Sequence, residues 1–209
     1  MKKIFLPLLA AVGMALGLTL TSCGGGGGSS KDGAQPARAL AGTTLTSTSK
    51  TPCFTLKFEI ANTGWTVAST FTPGESKKKS YPCYFNLTRA PKLVEGNWEV
   101  WGSIGWVDID ILKDDSFLAL LGANSTASSC TIEQFVLVLN IPSGKQPGVY
   151  SGDGQMMVEG RFYMNDGEAE GTKITGKTVK FNFEMEGQVK EKYFKGFTEE
   201  DTDDKPFDY

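Results

Sequence analysis

The sequence predicts an all-β fold, an antiparallel β-sandwich of about 8–10 strands, with a closed β-barrel as the alternative. Apolar residues recur at every second position in several short segments, which is the period of a strand with one buried face. Turn sequences such as Asn62-Thr63-Gly64 and Asn165-Asp166-Gly167 separate these segments. No segment carries the apolar period of a long amphipathic helix.

The first strand is predicted over residues 53–60, where one face carries Phe54, Leu56, Phe58 and Ile60. Residues 65–71 follow a turn and are expected to form its hairpin partner. Residues 84–88 predict a further strand, and Arg89-Ala90-Pro91 ends it.

Residues 97–112 are aromatic and β-branched, with Gly102 and Gly105 among them. Glycine inside a strand pattern indicates a bulge or a sharp bend, so two shorter strands are expected here. Residues 117–121 are apolar but short, and fit either a strand or one helical turn.

Residues 131–141 contain a continuous apolar run of strand length, which predicts a central strand covered on both faces. Residues 155–164 and 178–186 alternate clearly between apolar and polar side chains. Residues 189–197 are expected to add a last strand.

Composition excludes several classes of function. The chain has a formal net charge of −3 and no histidine. A mildly acidic chain lacks the basic surface that nucleic acids need. Without histidine there is no histidine-based triad and no histidine ligand for zinc. We expect no cofactor and no enzyme activity, since an enzyme would have to work with carboxylates, lysine or tyrosine.

The N-terminus has a basic start, Met1-Lys2-Lys3, then an apolar run over residues 4–20, then Leu20-Thr21-Ser22-Cys23. This arrangement resembles the signal peptide and lipobox of bacterial lipoproteins. The resemblance implies that residues 1–22 are removed and that Cys23 carries the lipid. Gly24 stands where such lipoproteins carry an inner-membrane retention aspartate, so the resemblance favours the outer membrane, facing the periplasm or the cell surface.

The domain organisation follows from composition. Residues 23–50 begin with five glycines and are poor in large apolar side chains, which predicts a flexible stalk. Residues 51–197 are expected to be the single β domain. Residues 198–209 are rich in Asp and Glu and predict an acidic tail.

Three cysteines remain once Cys23 carries lipid. In an oxidising compartment we expect one disulfide and one buried thiol among Cys53, Cys83 and Cys130. Loop entropy does not choose between the pairings. A Cys53–Cys83 bond is favoured because each of the two follows a proline and precedes an aromatic residue at the start of a predicted strand.

Two groups of residues are candidates for chemistry. One is the carboxylate group Asp108, Asp110, Asp114 and Asp115, which suits either a solvated strand face, a Ca²⁺ site or paired-carboxylate hydrolysis. The other is Trp98, Trp101 and Trp106, which suit a sugar-stacking platform, core packing or a protein interface. Trp98 and Trp106 share a strand face if no bulge intervenes.

Residues 171–178 match the letter pattern of a phosphate-binding loop. That loop needs a buried strand before it and a helix after it, and here an acidic turn precedes it and a strand pattern follows. We therefore expect no nucleotide partner.

The sequence thus predicts a lipid-anchored lipoprotein of the cell envelope with one β domain that has a binding, adhesive or structural role. The first rival is a surface glycan-binding module that uses exposed tryptophan, and the second is a carboxylate-dependent hydrolase. The expected partners are the membrane, through the lipid, and either a glycan or an envelope protein.

Overall fold

The computed structural model describes residues 35–75, 79–123, 127–144, 148–164, 172–174 and 178–195. Over these residues ten strands form one antiparallel sheet. Their bounds are β1 Thr43–Ser47, β2 Phe54–Ala61, β3 Thr66–Pro73, β4 Tyr81–Leu87, β5 Lys92–Val94, β6 Asn97–Val107, β7 Ala127–Pro142, β8 Gly148–Met164, β9 Thr172–Ile174 and β10 Val179–Gly187. The helices are α1 Ala37–Leu40, α2 Asp115–Leu120 and the 3₁₀ helices Ile109–Lys113 and Glu191–Tyr193.

The sheet closes into a barrel. Strands β1, β2, β3, β4, β6, β7 and β8 each pair with the next one named, and β10 pairs with both β8 and β1. The two short strands β5 and β9 add to β6 and β8. The all-β prediction is confirmed, and the closed barrel is the observed form. The sandwich is not the observed form, because β10 pairs with β1 near the start of the chain and with β8 near its end. These two pairings close the sheet and remove the free edges that a sandwich has.

Aromatic rings fill the interior of the barrel. Phe54 lies 5.3 Å from Phe71 and 5.2 Å from Phe181 between ring centroids, and Phe58 lies 5.2 Å from Phe85. All five rings are at most 3% exposed. An eight-stranded barrel is just wide enough to be filled by side chains. The inside of this barrel is therefore its hydrophobic core.

The two ends of the barrel are covered by the helical segments. At one end, Phe194 follows a 3₁₀ helix and packs on Trp98 at 5.2 Å, and Lys190 donates its backbone N–H to Ala39. At the other end, Phe117 of α2 lies 6.1 Å from both Phe71 and Phe135. No helix among the described residues is both long and apolar enough to cross a membrane.

The predicted stalk, residues 23–50, is wrong in its second half. Helix α1 and strand β1 lie within it, and β1 pairs with β2 on one side and β10 on the other. Leu45 is fully buried, and the hydroxyl groups of Thr43 and Ser47 bond to the Leu40 and Pro52 carbonyls. Strand β1 has one large apolar side chain, and it is stabilised mainly by backbone hydrogen bonds to β2 and β10. Composition does not reveal such bonds. Residues 1–34, including the signal and Cys23, lie outside the described residues.

Three other local predictions change. Residues 97–112 form one strand that ends at Val107, followed by a 3₁₀ helix that starts at Ile109. Residues 117–121 are mostly helical. Residues 189–197 form no strand where they are described, because Glu191–Tyr193 is a 3₁₀ helix. The acidic tail, residues 198–209, lies outside the described part of the chain.

Glu191 joins the C-terminal 3₁₀ helix to the turn after β7. Its Oε1 accepts the Gly144 backbone N–H at 2.6 Å, and its Oε2 accepts the Ser143 hydroxyl at 2.9 Å. Burial raises the pKa of Glu191, but the hydrogen bonds from Gly144 and Ser143 and the nearby Lys195 charge outweigh this effect, so the pKa lies below its ordinary value. The Trp98 indole N–H itself has no partner of good hydrogen-bond geometry among the described residues.

This lowered pKa predicts a pH-dependent stability. The Glu191 contribution is present above the ordinary pKa of 4.5 and is lost as pH falls below it, because the unfolded chain takes up the proton first. Glu191→Gln should lower the free energy of unfolding by about 1–3 kcal/mol at pH 7, and by less in acid. Urea unfolding at several pH values checks this, with the exposed Glu186→Gln as control. An equal loss at all pH values would contradict the role of the charge.

Candidate functional site

Trp98 lies in the core and does not belong to a surface platform. Its side chain points inward from β6, it is 5% exposed, and its ring packs on Phe194. The predicted ligand role of Trp98 is therefore wrong, and the core-packing alternative holds for this residue. The reason is the regular alternation at the start of β6, which places Trp98 and Val100 on the inner face.

Trp101 points outward but is covered within the chain. The Arg89 guanidinium lies 3.5 Å from the Trp101 ring centroid, a cation–π contact. The Glu99 carboxylate accepts both the Trp101 indole N–H at 2.8 Å and an Arg89 N–H at 2.9 Å. One face of this ring and its polar edge are already occupied, so Trp101 is not an open platform.

Trp106 is the exposed tryptophan of β6, with 61% of its surface accessible. The pairing with β4 shifts here, because Cys83 faces Val107 whereas Phe85 faces Ile104. Strand β6 thus has one more residue than β4 between these pairs, which is a β-bulge. The bulge expected from the glycines is confirmed. It turns Trp106 outward, away from the face that carries Trp98.

Tyr84 of β4 stands beside Trp106 on the outer surface. The two ring centroids are 5.9 Å apart, and the ring planes are inclined at 48°. Tyr84 is 37% exposed. Gly105 leaves room next to them for Asn86, whose side-chain amide would overlap a Cβ at position 105. Sequence alone gave no signal that Tyr84 belongs to a site.

Ile60 is also turned outward by a bulge. Phe58 pairs with Ser69, but Ile60 pairs with Ala68, so β2 gains one residue relative to β3. Ile60 is 70% exposed as a result. The prediction that Ile60 shares the inner face with Phe54, Leu56 and Phe58 is therefore wrong.

These outward residues form one row across four strands, which we call the outer stripe: Ile60, Ala68, Tyr84 and Trp106. Ala68 pairs with Ile60 on one side and Tyr84 on the other. Three strand spacings give the row a length of roughly 14 Å, and it curves with the barrel wall. Of the neighbouring outward side chains, Thr66, Thr70, Asn86 and Ser103 are neutral and polar, Pro82 is apolar, and Lys57 and Glu59 of β2 are charged and pair with each other.

The carboxylate group is used for local structure. Asp108 accepts the Asp110 backbone N–H at 3.0 Å, and Asp110 pairs with Lys79 at 3.3 Å. Asp114 caps α2, and Asp115 lies exposed in its first turn. In the described parts of the chain, no three Asp, Glu, Cys or His residues are grouped so that they could hold a metal ion. The 3₁₀ helix also replaces the exposed strand face that the alternation indicated.

The expected Cys53–Cys83 disulfide is not formed, and Cys53, Cys83 and Cys130 are free. Strand β3 lies between the two cysteines: Cys53 accepts a bond from Gly74, whereas Cys83 pairs with Ser69. That offset is roughly 17 Å along the strand, far beyond the reach of a disulfide. Burial raises the pKa of Cys83 and of Cys130 to about 12. Both thiols are therefore protonated and unreactive.

A second surface feature lies on the other strands of the barrel. It is an open groove of about 550 Å³ lined mainly by polar side chains, which we call the polar groove. Its central row is Asn140 of β7, Asp153 of β8 and Asn182 of β10, which face one another in register. Sequence reasoning missed this groove, since its residues come from five separate segments whose register is not encoded locally.

Comparison of the chain with protein-family models, with curated proteins and with solved structures finds no match. Relatives therefore assign neither surface a role. Both have to be interpreted from their own chemistry.

Proposed function

We propose that the chain is a lipid-anchored lipoprotein of the bacterial cell envelope whose barrel binds a glycan on its outer stripe. The lipobox-like Leu20-Thr21-Ser22-Cys23 supports the anchor, and Gly24 supports the outer membrane. The observation that carries the binding role is the position of Trp106, which is 61% exposed next to Tyr84. Because the barrel interior is filled, a ligand is expected on the outside.

The chemistry of the outer stripe favours a sugar. The flat apolar face of a pyranose stacks on an indole or phenol ring, and its edge hydroxyls can then bond to the Asn86 amide and to the Glu59 carboxylate, which already accepts the Thr70 hydroxyl at 3.3 Å. The stripe covers roughly 14 Å by 7 Å, about 100 Å², whereas a stable protein interface buries about 800 Å² on each partner. A narrow ligand therefore fits the stripe better than an envelope protein does.

The role is proposed to be binding without catalysis. Three of the four carboxylates that the sequence suggested are engaged locally: Asp108 and Asp114 bond to backbone N–H groups, and Asp110 pairs with Lys79. No observation favours the hydrolase over the binding module.

The anchor predicts lipid labelling at one cysteine. Cells fed a radiolabelled or clickable fatty acid should incorporate it into the wild-type protein, and Cys23→Ala should abolish the label. Cys53→Ala is the matched control and should keep the label. Labelling that persists in Cys23→Ala would contradict the lipoprotein assignment.

The outer stripe predicts that Trp106→Ala weakens glycan binding. Pull-down on insoluble cellulose, chitin and xylan should retain the wild-type protein on at least one of them. Loss of one stacking ring should lower that affinity roughly 3–10-fold. Trp101→Ala is the matched control, because Arg89 already covers that ring. The proposal fails if no polysaccharide retains the protein, or if only Trp101→Ala reduces retention.

A further inference from the structure

The polar groove has the volume of a small-ligand site and is wide open to solvent. Its volume of about 550 Å³ falls in the range of small-molecule pockets, about 300–1,000 Å³. Its centre lies on strands β7, β8 and β10, with Asn97 at the start of β6 and Thr48 after β1 at its rim, whereas the outer stripe lies on β2, β3, β4 and the far end of β6. The two surfaces share no residue.

Two glycines of β8 let this strand pack closely against the core and its neighbouring strands beneath the groove. A Cβ at Gly152 would overlap the Phe183 ring and lie 2.7 Å from the Asn140 carbonyl oxygen. A Cβ at Gly154 would lie 2.7 Å from the Val138 carbonyl oxygen. Without these side chains, β8 lies closer to the core than a strand of larger residues allows.

Most polar side chains of the groove are free to bind a ligand. The Asn140 side-chain amide donates to Asp153 at 2.8 Å, which holds these two side chains in place. The side chains of Asn97, Asn182 and Glu184 make no hydrogen bond to any other described residue. These amide and carboxylate groups have unused hydrogen-bonding capacity and are held on the strands of a barrel. They can donate to and accept from the hydroxyl groups of a ligand.

The charge of the groove selects the kind of ligand. Asp153 and Glu184 are both acidic, and none of the described residues that line the groove is Lys or Arg. An acidic ligand would face like charge without compensation, which costs affinity. Hydroxyl groups instead donate strong, charge-assisted hydrogen bonds to carboxylates. Phe183, the aromatic residue of the lining, is buried and offers no stacking face.

We propose that the polar groove is a second ligand site, which binds a neutral sugar through its hydroxyl groups and rejects acidic sugars. This site is independent of the outer stripe and does not require the lipid anchor. Asn140, Asp153 and Asn182 form its centre, and Asn97 and Glu184 flank them.

NMR titration of the full-length Cys23→Ala protein tests the site. The probes are glucose, galactose and N-acetylglucosamine at millimolar concentration, with glucuronate as the acidic counterpart. At least one neutral sugar should give saturable shifts of the Asn97, Asn140 and Asn182 side-chain amide signals. Glucuronate should give none. Absence of saturable shifts with all three neutral sugars, or equal binding of glucuronate, would overturn the proposal.

Variants locate the binding on the protein. Asp153→Asn keeps the side-chain volume and should weaken the sugar affinity about tenfold, as expected for a charge-assisted hydrogen bond. Asn182→Ala should weaken it as well. Asp115→Ala, at an exposed side chain outside both surfaces, should leave the shifts of the groove amides unchanged. If the shifts disappear in Trp106→Ala and persist in Asp153→Asn, the sugar binds at the outer stripe alone and the groove site is wrong.

Discussion

Replacing Phe71 by alanine is expected to lower the free energy of unfolding by about 3–5 kcal/mol. Phe71 is fully buried, and its ring lies 5.3 Å from Phe54, 5.6 Å from Phe135 and 6.1 Å from Phe117. The Phe71 ring thus links opposite walls of the barrel to helix α2. Alanine at this position leaves a cavity, because the strands of a closed barrel cannot move inward to fill it. Thermal unfolding should show a midpoint lower by roughly 6–20 °C.

Two control variants separate packing from other effects. Phe71→Leu keeps most of the volume and should lose clearly less stability than Phe71→Ala. Ile60→Ala, on the outer stripe, should change stability by about 0.5 kcal/mol or less, since Ile60 is 70% exposed. A loss at Ile60 as large as that at Phe71 would mean that Ile60 packs inside. The bulge that turns it outward would then be wrong.

The inner faces of most strands could be predicted because alternation is a local property. Phe54, Leu56 and Phe58 all lie inside, as expected. The alternation fails at Ile60 and Trp106, since an added residue in a strand reverses every later side chain and appears only in the pairing with the neighbour. A glycine next to Trp106 indicated that bulge, whereas nothing in the sequence indicated the one at Ile60.

Neither the closure of the barrel nor the polar groove could be predicted from the sequence, because both depend on pairing between distant segments. Strand β1 contributes Leu45 to the core but reads as a polar linker, and its partner β10 is about 130 residues away in the chain. Without β1 the sheet has two edges and resembles a sandwich. The polar groove likewise joins Asn140, Asp153 and Asn182, which meet only once the register is set.

Asp114→Ala should lower the free energy of unfolding by about 2–4 kcal/mol. One carboxylate oxygen accepts the backbone N–H groups of Ser116 and Phe117, which caps α2, and the other accepts the Tyr81 hydroxyl at 2.7 Å. Burial, followed by the hydrogen bond to Asp114, raises the pKa of Tyr81 far above its ordinary value. The phenol therefore stays a donor, and removing the acceptor leaves a buried hydroxyl unpaired.

A double-mutant cycle separates the two roles of Asp114. Tyr81→Phe removes only the phenol bond, so the difference between Asp114→Ala in the wild-type and Tyr81→Phe backgrounds measures that bond, and the remainder is the helix cap. Asp115→Ala, whose side chain is exposed, is the matched control and should cost about 0.5 kcal/mol or less. If Asp114→Ala were neutral and Ca²⁺ stabilised the wild-type protein, the carboxylate would be free for a metal. Because its oxygens already have three donors, we expect Ca²⁺ to leave the unfolding midpoint unchanged.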